Sequence, residues 1–188
     1  MSRAGDILGQ VNESVPGVLA PTLKVINQLL EEGVVDSYAI GGSIALMYYC
    51  EAWKTDDLDI YCHIPQQTLL IDLGPIYKAL QDKGYGPEGQ GVGIEGVEVQ
   101  FLPPHGELSV EALETAVSVV VEGIPTRVFQ YEYALAMKAN AGRPKDWGHL
   151  GTAVESAEPD MVKLQAILER FGLWRRWQRR MGSESDDL

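Results

Sequence analysis

Residues 38–63 read YAIGGSIALMYYCEAWKTDDLDIYCH, and the rest of the chain is organised around them. Ser37-Tyr38-Ala39-Ile40 reads as a short strand, followed by a Gly41-Gly42-Ser43 turn, the helix SIALMYYCEAW, and a strand that carries Asp57 and Asp59. Side chains alternate along a strand, so Asp57 and Asp59 share one face while Leu58 and Ile60 share the other. Two adjacent carboxylates repel each other, and a hard divalent cation is the common partner that holds such a pair. A helix N-terminus after a Gly-rich turn presents free N–H groups suited to phosphate. The stretch therefore joins an expected phosphate cradle to an expected metal dyad. Taken alone, Asp-x-Asp is common on exposed strands. Its position one helix after Gly-Gly-Ser is what favours a site.

The chain of 188 residues is long enough for one domain with a real core and a helical appendage. Hydrophobic content of 45% and charged content of 22% are ordinary for a soluble globular protein. A formal net charge of −12 argues against nucleic-acid binding over the whole surface, while leaving room for a local basic site. Cys50 and Cys62 fall in an apolar helix and a strand, which fits core packing in a reduced compartment. The opening MSRAGDILGQ lacks an apolar signal core, and no apolar run reaches membrane-spanning length. A cytoplasmic protein without membrane association is the expectation.

Outward from the central stretch, residues 1–18 show little periodicity and are expected to form an arm or short helix. A helix is expected from Pro21 to a stop at Gly33, burying Leu23, Ile26, Leu29 and Leu30. After the Asp strand, ended by Pro65, residues 66–83 read as helix with a break at Gly74-Pro75, and YGPEGQG reads as a loop. Two hairpins follow, one around Glu95-Gly96 and one around Glu122-Gly123, with a short helix N-capped by Ser109 between them. Helices are expected over 131–141, from Pro144 to 156, and continuously from Asp160 to Arg180. The result is an α+β fold: a core over 1–130 built on a small mixed sheet backed by helices, a helical C-terminal unit over 131–181, and an acidic tail over 182–188 expected to be disordered.

The pattern of a hydrophobic residue, Gly-Gly-Ser, thirteen intervening residues, and Asp57-Leu58-Asp59-Ile60 resembles the nucleotidyltransferase fold of the DNA polymerase beta superfamily. Ile40-Gly41-Gly42 and Lys54-Thr55-Asp56-Asp57-Leu58-Asp59 are most similar to the AbiEii-type and minimal nucleotidyltransferases, in which Arg is commoner at the position of Lys54. The resemblance implies that Asp57 and Asp59 hold Mg²⁺ or Mn²⁺. It also implies that Gly41, Gly42, Ser43, Lys54 and Thr55 contact the nucleotide. A third carboxylate on a later strand is part of the superfamily pattern, and here Gln100 stands where an acid is usual. Either Glu98, two residues earlier on the same face, takes that role, or the third acid is missing.

A second block, YEYALAMKANAGRPKDWGHL, resembles the helical segment of AbiEii-type proteins, with Glu132, Lys138, Arg143, Lys145 and Asp146 in the same order and His149 where the family often has Asp. The resemblance implies nucleotide contact for Lys138, Arg143 and Lys145. A rival reading makes Arg143 and Asp146 a helix-terminal pair that sets the angle between two helices. The last helix interleaves Arg170, Arg175, Arg176, Arg179 and Arg180 with Trp174 and Trp177. It is expected to pack through its tryptophans, with binding of a nucleic-acid backbone or an acidic partner as the rival reading; nucleic-acid contact is not expected anywhere else on the chain. The function implied is Mg²⁺-dependent transfer of a nucleoside monophosphate from an NTP to an acceptor. The alternative is a catalytically inactive relative that binds a small protein partner, as in toxin–antitoxin-type systems.

Overall fold

The computed structural model describes residues 19–50, 55, 57–65 and 72–182. The expected N-terminal arm, Lys54, the first six residues (66–71) of the segment after Pro65, and the acidic tail beyond Gly182 lie outside the described residues.

One seven-stranded mixed sheet organises the molecule. Its strands are β1 (Ser37–Ile40), β2 (Asp57–His63), β3 (Gly86–Glu88), β4 (Gly91–Ile94), β5 (Val97–Leu102), β6 (Val117–Val121) and β7 (Ile124–Val128), in the order β3-β4-β5-β2-β1-β7-β6. The hairpin strands pair antiparallel, whereas β2–β5 and β1–β7 pair parallel. Parallel neighbours need a crossover, and each of these pairs is separated in sequence by intervening helices and strands.

The helices are α1 (Leu19–Glu31), α2 (Gly42–Met47), α3 (Gly74–Asp82), α4 (Glu107–Glu114), α5 (Tyr131–Ala141), α6 (Pro144–Ser156), α7 (Met161–Arg170) and α8 (Trp174–Met181). The face of β2 that carries Leu58, Ile60 and Cys62 is fully buried, as alternation predicts. α1 packs on that side, where Thr22 donates to the Ile94 carbonyl at 3.0 Å and Asn27 accepts from the Tyr38 hydroxyl at 2.6 Å. The other face of β2 meets α2, which in turn packs against α5. Among the described residues no helix is long and apolar enough to cross a membrane.

Five local expectations are corrected. The stretch expected as a loop contains β3, whose residues are exposed and pair with β4. Its Pro87 lacks an N–H, which an edge strand tolerates. The helix after Gly-Gly-Ser is six residues long, followed by a turn over Tyr48–Cys50. Helix α4 starts at Glu107 because Gly106 takes φ +81°, and Ser109 is buried inside the helix with its hydroxyl bonded to the Gly106 carbonyl. Leu30 is exposed, and α1 buries Leu19, Thr22 and Val25 beside the expected positions. The long C-terminal helix is two helices. Gly172 turns left-handed at φ +69°, and Leu173 N–H bonds the Leu168 carbonyl at 2.7 Å, closing α7 before α8 begins.

Candidate functional site

Asp59 is held against the β1–α2 turn. Gly41 N–H donates to the Asp59 carbonyl at 2.9 Å. Gly42 takes φ +57°, and a Cβ there would lie 1.8 Å from Asp59 Oδ2. A Cβ on Gly41 would lie 2.5 Å from the Tyr61 ring. Both glycines are thus required by close approach, one to the carboxylate and one to the ring beside it. Asp57, two residues back on the same face, accepts from the Thr55 hydroxyl at 2.6 Å.

Cations reach this face from the helical segment. Lys138 on α5 donates to Ser43 Oγ at 3.0 Å and lies 3.7 Å from Asp146 Oδ1. Asp146, fully buried in the first turn of α6, accepts from Arg143 N–H at 3.0 Å and from Arg143 Nε at 2.9 Å. Pro144 opens α6, and Gly142 closes α5 with φ +59°. The Arg143–Asp146 pair therefore caps α6 at the helix junction, and Asp146 also joins Lys138 to it. Glu132 faces elsewhere on α5, where it accepts from Lys163 Nζ at 2.7 Å and from Asp160 N–H at 3.2 Å.

These groups enclose a cavity of about 340 Å³ lined by Gly42, Ser43, Thr55, Asp57, Asp59, Tyr61, Ala134, Met137, Lys138, Ala141, Arg143, Lys145, Asp146 and His149. That is within the usual size range of a small-molecule site. A larger cavity of about 680 Å³ lies between α1 and the β6–β7 end of the sheet, but its lining is mainly apolar and excludes the Asp57–Asp59 face. Convergent charge makes the smaller cavity the candidate site.

The electrostatics carry the marks of crowding. Burial, then the neighbouring Asp57, pushes the Asp59 carboxyl up to about 6, although Lys138 and Arg143 pull it down. Burial lowers the Lys138 ammonium, opposed by Asp146 and Asp59. Burial would raise Asp146, yet the Arg143 side chain, its N–H and Lys138 outweigh it and hold that carboxyl below the ordinary range. Burial and then Lys138 lower His149. Burial and then Asp59 push the Tyr61 phenol up to about 12.

Two hard carboxylates, one of them raised by desolvation and by the other, form a donor set that fits Mg²⁺, an ion usually held by one or two carboxylates plus substrate phosphate oxygens. Among the described residues no three acids, histidines or cysteines gather closely enough to complete a protein-only metal site.

Most of the residues expected from sequence meet here: Gly42, Ser43, Thr55, Asp57, Asp59, Lys138, Arg143 and Lys145 line one cavity, with Gly41 directly behind. Glu98 is the register partner of Asp57 and Gln100 that of Asp59, so all four share a face. The Glu98 carboxylate, however, accepts from Gln90 N–H at 2.7 Å on the β3–β4 turn and does not line the cavity. Tyr61 and Met137 also line the cavity, a placement that sequence reasoning missed. Tyr61 sits two positions after Asp59 on the same strand face, and that spacing was available as a clue.

No family profile and no curated protein sequence matches the chain. Solved structures do resemble it. A nucleotidyltransferase-like antigenic protein from Paracoccidioides brasiliensis superposes with a TM-score of 0.56 at 14% identity, covering 89% of this chain and 93% of that one. The antibiotic-resistance factor ANT(2'')-Ia superposes with a TM-score of 0.50 at 18% identity, covering 85% of this chain and 94% of that one. At such identities the likeness is one of architecture, and this chain has a nucleotidyltransferase-like fold.

Proposed function

We propose that the Asp57–Asp59 cavity binds an NTP with Mg²⁺ or Mn²⁺ and transfers its nucleoside monophosphate to an acceptor hydroxyl. The observation that carries this reading is the meeting of paired carboxylates with Ser43, Lys138, Arg143 and Lys145 in one cavity. Asp57 and Asp59 would hold the metal. When bound, it would draw charge from the phosphates and lower the acceptor hydroxyl's pKa. Ser43, positioned by Lys138, and the neighbouring turn N–H groups bind phosphate oxygens. Lys138, Arg143 and Lys145 neutralise the triphosphate, and Thr55 fixes the Asp57 carboxylate by its hydrogen bond. Lys54, next to Thr55 in sequence, adds a further cation by the same reasoning. In the transfer, the acceptor oxygen bonds the α-phosphorus, the α–β bridging P–O bond breaks, pyrophosphate leaves, and the hydroxyl proton passes to water at the cavity mouth.

Glu98 enters as the third acid only by leaving its bond to Gln90 N–H. That bond, with Gln100 beside Asp59, favours a second reading: an AbiEii-like or related module that binds Mg²⁺ and nucleotide without transfer and serves a small protein partner, as in toxin–antitoxin-type systems. One experiment addresses both. Fluorescent ATP and GTP analogues are titrated with Mg²⁺, and α-labelled NTPs are followed for pyrophosphate release and label transfer. Binding that Asp57→Ala/Asp59→Ala removes, with transfer, supports the enzyme. Binding without transfer supports the module, and equal behaviour of native and variant protein rejects both.

A further inference from the structure

The two edges of the sheet are finished differently. At one, β3 carries Pro87 and Glu88, features that discourage a further strand. At the other, β6 reads VSVVV, with neither charge nor proline, and Val120 is 61% exposed. The register of the β6–β7 hairpin fixes which backbone groups this edge offers. Val121 pairs with Ile124 across a two-residue turn in which Glu122 and Gly123 take φ +49° and +80°. Such a turn makes its flanking residues a hydrogen-bonded pair, so Val117, Val119 and Val121 point their N–H and C=O groups at β7. Those of Ser118 and Val120 point outward, and among the described residues no hydrogen bond reaches them. Beside this edge runs the cavity of about 680 Å³, lined by Leu30 and Glu31 at the end of α1, by Asp36, and by Val119 and Val120. Leu30 extends the apolar stripe of α1, yet it lies exposed there. The charges are unbalanced. Arg127 directs its guanidinium to the Leu113, Glu114 and Ala116 carbonyls at 2.8, 3.2 and 3.2 Å. Glu31 and Asp36 have no ion-pair partner among the described residues.

We infer that the β6 edge and its groove take an extended, basic segment of a partner protein, added as a further strand of the sheet. Main-chain bonds to Ser118 and Val120 supply affinity, and alternate side chains supply specificity. Every second residue of the added strand faces the α1 side. Apolar side chains there cover Val119 and Leu30, and a Lys or Arg among them reaches Glu31 and Asp36. A second copy of this chain fits the edge less well. Antiparallel pairing of β6 with itself is two-fold, so the acidic rims of both copies would share one side of the joined sheet. Each copy also carries a net charge of −12. A five-residue edge is, moreover, short for the ~1,200 Å² or more that stable interfaces bury. The groove shares no lining residue with the Asp57–Asp59 cavity, so the inference is independent of nucleotidyl transfer.

The test uses the full chain and the fluorescein-labelled peptide KTVTVTK, which as a strand puts Lys and Val on one face and Thr on the other. Anisotropy titrations are expected to show saturable binding, weakened at least ~10-fold when every peptide nitrogen is methylated, since the backbone bonds to the edge are then lost. The peptide ETVTVTE binds at least ~3-fold less tightly, as does KTVTVTK to the Glu31→Gln/Asp36→Asn variant. Hydrogen exchange gives the residue-level readout. The Ser118 and Val120 amides exchange fast in the free chain and at least ~10-fold more slowly with peptide bound, while the Val119 amide is protected in both. Val120→Pro removes an outward donor, Val120→Lys sets a cation on the edge, and each weakens binding. The peptide comparisons on native protein decide the matter if neither variant folds. No binding of KTVTVTK, native-like binding of the methylated peptide, or equal binding of the Glu peptide overturns the inference. Two further results also overturn it. Protection of the Ser118 and Val120 amides in the free monomer assigns the edge to a segment of the chain itself. A dimer in sedimentation that Val120→Lys dissociates assigns it to a second copy.

Discussion

β2 and β5 lie side by side in parallel register, and each turns two polar side chains to the same face: Asp57 and Asp59 on one, Glu98 and Gln100 on the other. On β2 the carboxylates meet the Gly41-Gly42-Ser43 turn, Lys138 and the α5–α6 junction, and they line a cavity. On β5 the nearest cover is the β3–β4 turn, where the Glu98 carboxylate approaches Gly89 so closely that a Cβ there would stand 2.2 Å from it. The two pairs differ little in strand geometry. They differ in what is packed above them. A shared face puts acids within reach of one another, and the covering elements decide which of them line the cavity.

The largest expected effect tests the β2 side. Asp57→Asn or Asp59→Asn lowers transfer from α-labelled NTP by ~10²–10³-fold, because each removes half of the metal-holding pair. A loss of that size from Glu98→Gln breaks the contrast between the strands and makes Glu98 a member of the reacting centre.

Next is the close approach that seats Asp59. Gly42→Ala costs about 2–3 kcal/mol in denaturant unfolding, combining a positive φ with a clash against the carboxylate. Gly96→Ala, at φ +83° with open space around it, costs about 1 kcal/mol from backbone strain alone. Equal costs would mean that Asp59 yields without penalty.

Asp59 also gives a pH dependence with a definite sign. Its carboxyl is raised from 3.8 to about 6 in the folded chain, so the native state binds the proton more tightly than the unfolded state. Stability therefore falls as pH rises from about 4 to about 6 and then levels off. Asp59→Asn removes this penalty and raises stability at pH 8 by about 1–2 kcal/mol, with no gain below pH 4. Thermal melts across that range check it. Added Mg²⁺ raises the melting temperature of the native chain and leaves that of the variant unchanged.

The smallest expected effect is on the β5 side. Glu98→Gln changes transfer less than about tenfold, since its observed partners are the Gln90 N–H and Gln100 Nε2, and a Gln carbonyl still accepts from both.

Sequence reasoning reached the site through local chemistry. Alternation put Asp57 and Asp59 on one face, Gly41-Gly42 marked a close backbone approach, and Gly142 with Pro144 located the helix junction. It failed where a local pattern was overruled. The segment containing Gly86–Glu88 has the composition of a loop yet pairs as an edge strand, because β4 offers it backbone partners. The apolar and basic run after Asp160 is continuous in composition, yet Gly172 closes one helix and starts another.

The sequence by itself determined the α+β class, the Asp pair with its glycine turn, and the cationic block near residue 140, because each depends on conformational rules acting over a few neighbouring residues. Tertiary structure decided the rest. It set Lys138 against Ser43 across 95 positions, turned Glu98 toward the β3–β4 turn, and seated α8 on the α5–α6 junction. Those contacts arise from strand register and helix packing between segments far apart in the chain, and no local periodicity encodes which distant surface will cover a given face.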